Sequence, residues 1–177
     1  GTAADETSYQ GEDGTITIAD HTSGRYNYQI SSDNGASWTD AAVSEQGVIS
    51  GLAPGTYVIR VKGQGTMLAS EPSDSLTVKP YVRNSEAEIT AFKVTVDGTE
   101  YPGTIDQEAG TISITLPVGT DPSVLNSLTP SVTYAGQSIS PDSTPQDFSS
   151  AGVTYTVAAE DGTTKIYTAT ITIARQE

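Results

Sequence analysis

"YQISSDNGASWTDA" (residues 28–41) holds a strand, a reversal and a returning strand. Tyr28 and Ile30 alternate with Gln29 and Ser31, the period of two that a half-buried strand shows. Asp33-Asn34-Gly35 then offers residues that tolerate positive φ, so the chain can turn tightly and "SWTDA" can run back beside its start. The strand is read from Arg25 to Ser31, with Tyr26, Tyr28 and Ile30 on one face.

The same grammar extends in both directions. In "GTITIAD" (14–20), Ile16 and Ile18 alternate with Thr15 and Thr17. In "GVISGLAPGTYVIRVKG" (47–63), Pro54-Gly55 marks a turn, after which Tyr57, Ile59 and Val61 face away from Val58, Arg60 and Lys62. "MLAS" (67–70) and "DSLTVKP" (74–80) read as two further short strands. "KPYVRNSEAE" (79–88) breaks the alternation with Pro, Asn, Ser and charge, the mark of a linker.

A second series then begins. In "EITAFKVTV" (88–96), Phe92, Val94 and Val96 share a face while Ile89 and Ala91 are out of phase, which predicts a bulge near Ala91. "GTIDQEAGTISITLP" (103–117) reads as a hairpin around Glu108-Ala109-Gly110, with Ile112, Ile114 and Leu116 inward. "TDPSVLNSL" (120–128) is the helix-like piece, with Asp121 as cap and Pro122 in the first helical position. "SVTYAGQSIS" (131–140) reads as an edge pair and residues 152–174 as a long hairpin, with Tyr167, Ala169, Ile171 and Ile173 inward. Short strands at this spacing, without helices between them, predict an all-β chain of two tandem antiparallel β-sandwiches of immunoglobulin type. The expected boundaries are 1–80, a linker at 81–87, and 88–177.

Composition narrows the function classes. The 177 residues carry 22 acidic and 8 basic side chains, a formal charge of −14, with −6 on residues 1–80 and −8 on 81–177. Such a surface repels phosphate backbones and anionic lipid, so neither nucleic acid nor a membrane is an expected partner. With no cysteine, there is no disulfide, thiolate metal site or thiol nucleophile. The opening "GTAADETSYQGEDG" reads as a trimmed start, so a signal and an anchor are expected to lie outside these residues.

Two resemblances follow from particular phrases. "YQISSDNGASWTDA", "ISGLAPGTYVIRVKG" and "LASEPSDSLTV" resemble the fibronectin type III and Ig-like modules of bacterial cell-surface proteins. Tyr57 follows Thr56 one residue sooner than usual, and Trp38 sits after the hairpin turn instead of on an early core strand. "EITAFKV", "GTISITLPVGTDPSVLNSLTPSVT", "ISPDSTPQDFSS" and "GVTYTVAAEDGTTKIYTATITI" resemble an Ig-like module of gut bacterial surface proteins and lipoproteins. These resemblances imply an exported, extracellular, non-catalytic spacer or adhesion module without a cofactor, whose partner is a glycan or a host or bacterial surface protein; edge strands rich in Thr and short in hydrophobics predict a monomer.

Residues 31–38 also match the Ser-x-Asp-x-Gly-x-Ser-Trp pattern of the Asp box, best known from sialidase propellers. Every position of the motif has a structural reason: Ser31 and Asp33 bind the turn, Gly35 supplies positive φ and Trp38 packs over the loop. A sialidase also needs several boxes and an arginine cluster, whereas Arg25, Arg60, Arg83 and Arg175 are scattered. His21, the sole histidine, reads as a solvated turn residue and not as the base of a triad. The carboxylates of "GEDG", "DNG" and "PDSTPQD" lack the spacing of a calcium loop, so no metal site is expected. Lys62 and Lys93 fall on polar strand phases, against a buried Lys–Asn cross-link. The alternative to a spacer is a carbohydrate-binding platform of Trp38, Tyr26 and Tyr28, since sugars stack on exposed rings. No catalytic residue is assigned.

Overall fold

A computed structural model describes residues 1–176. The chain divides into two compact units, Gly1–Val82 and Arg83 onward. The structure is all-β, with one short 3₁₀ turn among the described residues.

The first unit comprises β1 (Thr2–Ala4), β2 (Gly14–Thr17), β3 (Tyr28–Ser31), β4 (Thr39–Asp40), β5 (Val48–Leu52), β6 (Gly55–Val61) and β7 (Leu76–Val78). They form two antiparallel sheets, ordered β1-β2-β5 and β4-β3-β6-β7. The alternation seen in sequence sets the inner faces: Ile16 and Ile49 from one sheet meet Tyr28, Ile59 and Val78 from the other in a single core. The step from β5 to β6 through Ala53-Pro54 carries the chain between sheets, and the Tyr57 hydroxyl donates to the Ala53 carbonyl at 2.8 Å across that corner.

Three expectations for this unit need correction. β1 lies in the polar start, where three short residues leave no alternation to read; its ladder to β2 comes from tertiary pairing. "MLAS" is not a strand, and Met67 and Leu68 are exposed. The chain instead lines β6 over residues 70–73, where the hydroxyls of Ser70 and Ser73 accept the amides of Val61 and Ile59 at 2.9 and 3.0 Å. Serine side chains thus satisfy donors that a ladder would otherwise take. The strand read from Arg25 starts only at Tyr28, and Tyr26 lies outside it.

The second unit comprises β8 (Glu88–Val96), β9 (Thr99–Pro102), β10 (Thr104–Asp106), β11 (Thr111–Leu116), the 3₁₀ turn Pro122–Ser127, β12 (Ser131–Ala135), β13 (Ser138–Ser140), β14 (Val153–Ala158) and β15 (Thr164–Ile173). Its sheets are ordered β12-β8-β9 and β10-β11-β15-β14-β13. Thr133 opposes Ala91 and Tyr134 opposes Ile89, which leaves Thr90 as the extra residue of a bulge. That slip turns both Ile89 and Phe92 inward, although the alternation between them is broken. Asp121 caps the 3₁₀ turn, accepting the Ser123 amide at 2.9 Å. Phe92 meets Tyr155 edge-on, ring centroids 5.3 Å apart, in a core that also buries Ile112, Leu116, Val157 and Tyr167.

Here too the pairing differs from expectation in two places. β12 and β13 do not form an edge pair: β12 joins β8 and β13 joins β14, in different sheets. β11 and β15 run parallel, Ile112 opposite Ala169 and Ile114 opposite Ile171, so the unit is not purely antiparallel. Parallel neighbours need a long crossover, and residues 117–163 provide it. Strand periodicity reports which face is buried and carries no information on the direction of a distant partner.

Candidate functional site

The hairpin that closes β3 onto β4 is built from the short side chains of residues 31–37. Asn34 and Gly35 both take positive φ, +56° and +88°. Ser31, buried, donates its hydroxyl to Asp33 Oδ1 at 2.6 Å and accepts the Gly35 amide at 2.8 Å. Asp33 in turn accepts the Ser37 amide at 2.9 Å and the Ser37 hydroxyl at 2.5 Å. These donors stabilise the anion, the Ser31 hydroxyl foremost and those of Ser37 after it, and hold Asp33 down at about 2. A carboxylate this committed to its own turn is ionised through the neutral range and has its oxygens occupied.

Trp38 follows the turn and is half-buried. A Cβ on Gly35 would fall 3.3 Å from its Cζ2, so the indole lies against that glycine. The Arg60 guanidinium sits 4.1 Å from the indole centroid, a cation–π contact that occupies one ring face. Arg60 is itself held by Gln29 Oε1, at 3.0 Å from Nε and 2.8 Å from Nη2. Gln29 donates to Asp40 at 3.1 Å, and Asp40 pairs with Lys62 at 2.5 Å. This chain of polar contacts crosses β6, β3 and β4. Alternation put Arg60 and Lys62 outward in sequence; that Arg60 would reach Trp38 and Lys62 would reach Asp40 follows only from the register of β3 against β6 and β4.

The three aromatic side chains of the carbohydrate platform do not form one surface. Tyr28 retains 7% of its exposure and belongs to the core with Ile59, while Arg60, the neighbour of Ile59 in the strand, points to the opposite face and covers Trp38. Tyr26 is 41% exposed and lies under the Arg25 guanidinium at 5.0 Å. Tyr26 and Tyr28 share the wall of a cavity of about 310 Å³ with Ile18, Pro72 and Leu76, to which Trp38 does not contribute.

His21 is not simply solvated. Its ring lies 5.7 Å from that of Tyr28, and its Nδ1 is buried without a hydrogen-bond partner among the described residues. Among the described residues no three His, Cys, Asp or Glu side chains gather as a metal site. Lys62 pairs with Asp40 and Lys93 with Glu100, both partly exposed. Among the described residues no helix is long and apolar enough to cross a membrane.

The fold and this hairpin define an all-β module. The family described as "SGBP, N-terminal", the N-terminal domain of Bacteroidetes surface glycan-binding proteins, matches residues 89–171, just under half of the chain. Those residues are therefore similar to a bacterial surface-protein module, and the family is a binding and not a catalytic one. A crystal structure described as a secreted protein of Bacteroides fragilis is 22% identical, covering 51% of this chain and 98% of that one, at a TM-score of 0.38, too slight a likeness to bear on fold or role. No curated protein matches the chain.

Proposed function

We propose that this chain is a non-catalytic spacer or adhesion segment of an exported bacterial surface protein, made of two sandwiches in tandem joined at residues 81–87. The observation that carries the reading is the likeness of residues 89–171 to the N-terminal domain of surface glycan-binding proteins. The strand orders of the first unit support it. A three-stranded β1-β2-β5 sheet facing a four-stranded β4-β3-β6-β7 sheet, with a tyrosine hydroxyl tied back to the corner before β6, supports reading it as an Ig-like or fibronectin type III-like sandwich. The Asp box serves that sandwich: Ser31, Asp33 and Gly35 close the turn, and Trp38 seals it under Arg60. The module works by position, extending from the cell a partner-binding surface, as an extracellular monomer that needs no cofactor.

A second reading, carbohydrate binding at Trp38, Tyr26 and Tyr28, has on its side the cavity that Tyr26 and Tyr28 line, although Trp38 is not part of that wall. Trp38 is the only tryptophan, so its emission separates the two. For the spacer reading we expect a blue-shifted maximum, weak iodide quenching and no response to galactomannan, xylan or laminarin. A red-shifted signal that one of these polysaccharides protects from iodide would replace the spacer with a glycan platform at Trp38.

A further inference from the structure

β6 is the longest strand of the first unit, with seven residues against three in β7, its neighbour on one side. β7 pairs only with Gly55 to Tyr57, so beyond that point Ile59 and Val61 aim their amides and carbonyls at a sheet edge that no strand covers. Tyr57-Val58-Ile59-Arg60-Val61 is rich in β-branched and aromatic residues, the composition that adds to another strand when its edge is bare. We propose that this edge is a strand-pairing surface for a second copy of the chain, and that Ser70-Glu71-Pro72-Ser73 is a built-in strap that keeps it shut.

The strap meets β6 through a repeated unit. The Ser70 amide donates to the Val61 carbonyl at 3.1 Å, and the Ser73 amide to the Ile59 carbonyl at 2.8 Å. In a ladder the return bonds would run from the amides of Val61 and Ile59 to backbone carbonyls. Here they run to the hydroxyls of Ser70 and Ser73, at 2.9 and 3.0 Å. Three residues of the strap span two of β6, so the serine side chains stand in for carbonyls that the spacing displaces. Each hydroxyl then donates onward, Ser70 to the Glu71 carbonyl at 2.9 Å and Ser73 to the Asp74 carbonyl at 2.8 Å. With those carbonyls occupied, no amide on Pro72, and acidic side chains on Glu71 and Asp74, the strap offers an incoming strand little to pair with.

Hydrogen bonds, not packing, hold this strap. Residues 70–75 are all exposed, and 70–73 line the cavity of about 310 Å³ shared with Ile18 and Leu76, so space and not packed core lies behind them. A segment bound in this way opens locally at small cost, and the two serine hydroxyls are the parts whose loss frees it. The surface beneath suits a second copy because it is its own complement: antiparallel pairing about a two-fold axis sets the same residues on both sides. Arg60 and Lys62, which would repel their counterparts across such a pair, are already bound by Gln29 and Asp40. The strap thus acts whether the module spaces or binds, by keeping identical chains from joining edge to edge.

Residue-resolved amide exchange of the whole chain by NMR reads the strap, and sedimentation velocity reads the surface beneath it. Ser70→Ala should speed exchange at Val61, and Ser73→Ala at Ile59, each roughly tenfold. The amides of Val58 and Arg60, which alternate toward β3, should keep their rates. The double alanine variant should sediment as a concentration-dependent dimer where the unaltered chain is a monomer, and a double threonine variant, which keeps both hydroxyls, should stay monomeric. Trp38 emission checks that the first unit remains folded, and Ser73→Ala alone carries both readouts if the double variant unfolds. Exchange at Ile59 and Val61 that ignores the serines overturns the proposal and leaves the spacer reading intact, as does a folded variant open at those amides yet monomeric at every concentration. An unaltered chain that already sediments as a dimer overturns the proposal and the monomer together.

Discussion

In the first unit five side chains, Ile16, Tyr28, Ile49, Ile59 and Val78, form the buried core among the described residues, whereas the second seals Phe92, Ile112, Leu116, Tyr155 and Tyr167 within a much larger cluster. Backbone conformation divides the same way. Gln10, Glu12, Asp20 and Asn34 take positive φ in the first unit, and Asp97 alone does so in the second among the described non-glycine residues. The second unit draws its order from packing. The first draws much of its order from polar side chains that bind loops: Glu6, Asp13, Ser31, Asp33, Ser70 and Ser73. Loops held this way can present concavities, because their shape does not depend on burying apolar area.

The sharpest way to break this comparison is to open a cavity in the larger core. Phe92→Ala should destabilise the second unit by about 3–5 kcal/mol. Circular dichroism would then show an early thermal transition while Trp38 emission, which reports the first unit, melts where it did before. A Trp38 transition that moved equally would mean that the two units do not unfold separately.

A smaller effect tests how complete the packing is. The Tyr155 hydroxyl is buried without a hydrogen-bond partner among the described residues, and burial pushes it up to about 12. An unpaired buried polar group costs about 1–3 kcal/mol, so Tyr155→Phe should raise the stability of the second unit by about 1 kcal/mol. Because the folded state favours the neutral phenol, stability is intact below pH 10 and declines as pH rises toward 12. Chemical denaturation from pH 8 to pH 12 should show that decline shallower in Tyr155→Phe. Tyr167 is the internal contrast: its hydroxyl donates to Gln107, whose amide reaches the Ile89 carbonyl at 2.7 Å.

The smallest effect concerns the hairpin. Asp33 is ionised and hydrogen-bonded when folded, so its contribution is present above the unfolded value of 3.8 and is lost as pH falls through about 2. The first unit should therefore lose stability between those limits, and Asp33→Asn should be less stable at pH 7 yet less sensitive to acid. Trp38 emission during thermal melts at pH 7, 4, 3 and 2 measures both. An acid dependence identical in the two proteins would mean that the Ser31 and Ser37 hydroxyls, and not the charge, hold the turn.

Much of this organisation was legible without coordinates, and the reasons are local. A residue's place on a strand face depends on a period of two, so Ile112, Ile114 and Leu116, or Tyr167, Ala169 and Ile171, declare themselves. Asn34-Gly35 and Asp97-Gly98 mark reversals because few other pairs accept positive φ at both positions. The capped turn at Asp121-Pro122 is equally local. Tyr28 was harder: alternation put it on the same side as Tyr26, but the strand begins only at Tyr28, leaving one ring in the core and the other near solvent.

The remainder required the folded chain. Pairing of β11 with β15, separation of β12 from β13, and the serines that stand in for a strand beside β6 all join residues distant in sequence, and periodicity says nothing of partners. The same holds for the candidate site and for the loop before β2. Asp33 and its turn are spelled out within eight residues, whereas Arg60 reaches Trp38 only through the register of β3 against β6. Tyr9 and Tyr81 stand more than seventy positions apart and meet around one concavity because Glu6 binds a backbone amide on each side. Sequence by itself determined most of the strands, their buried faces and the tight turns, since these depend on neighbours along the chain. Only the tertiary structure decided which strands pair and which loops converge, since those depend on contacts that close long stretches of chain.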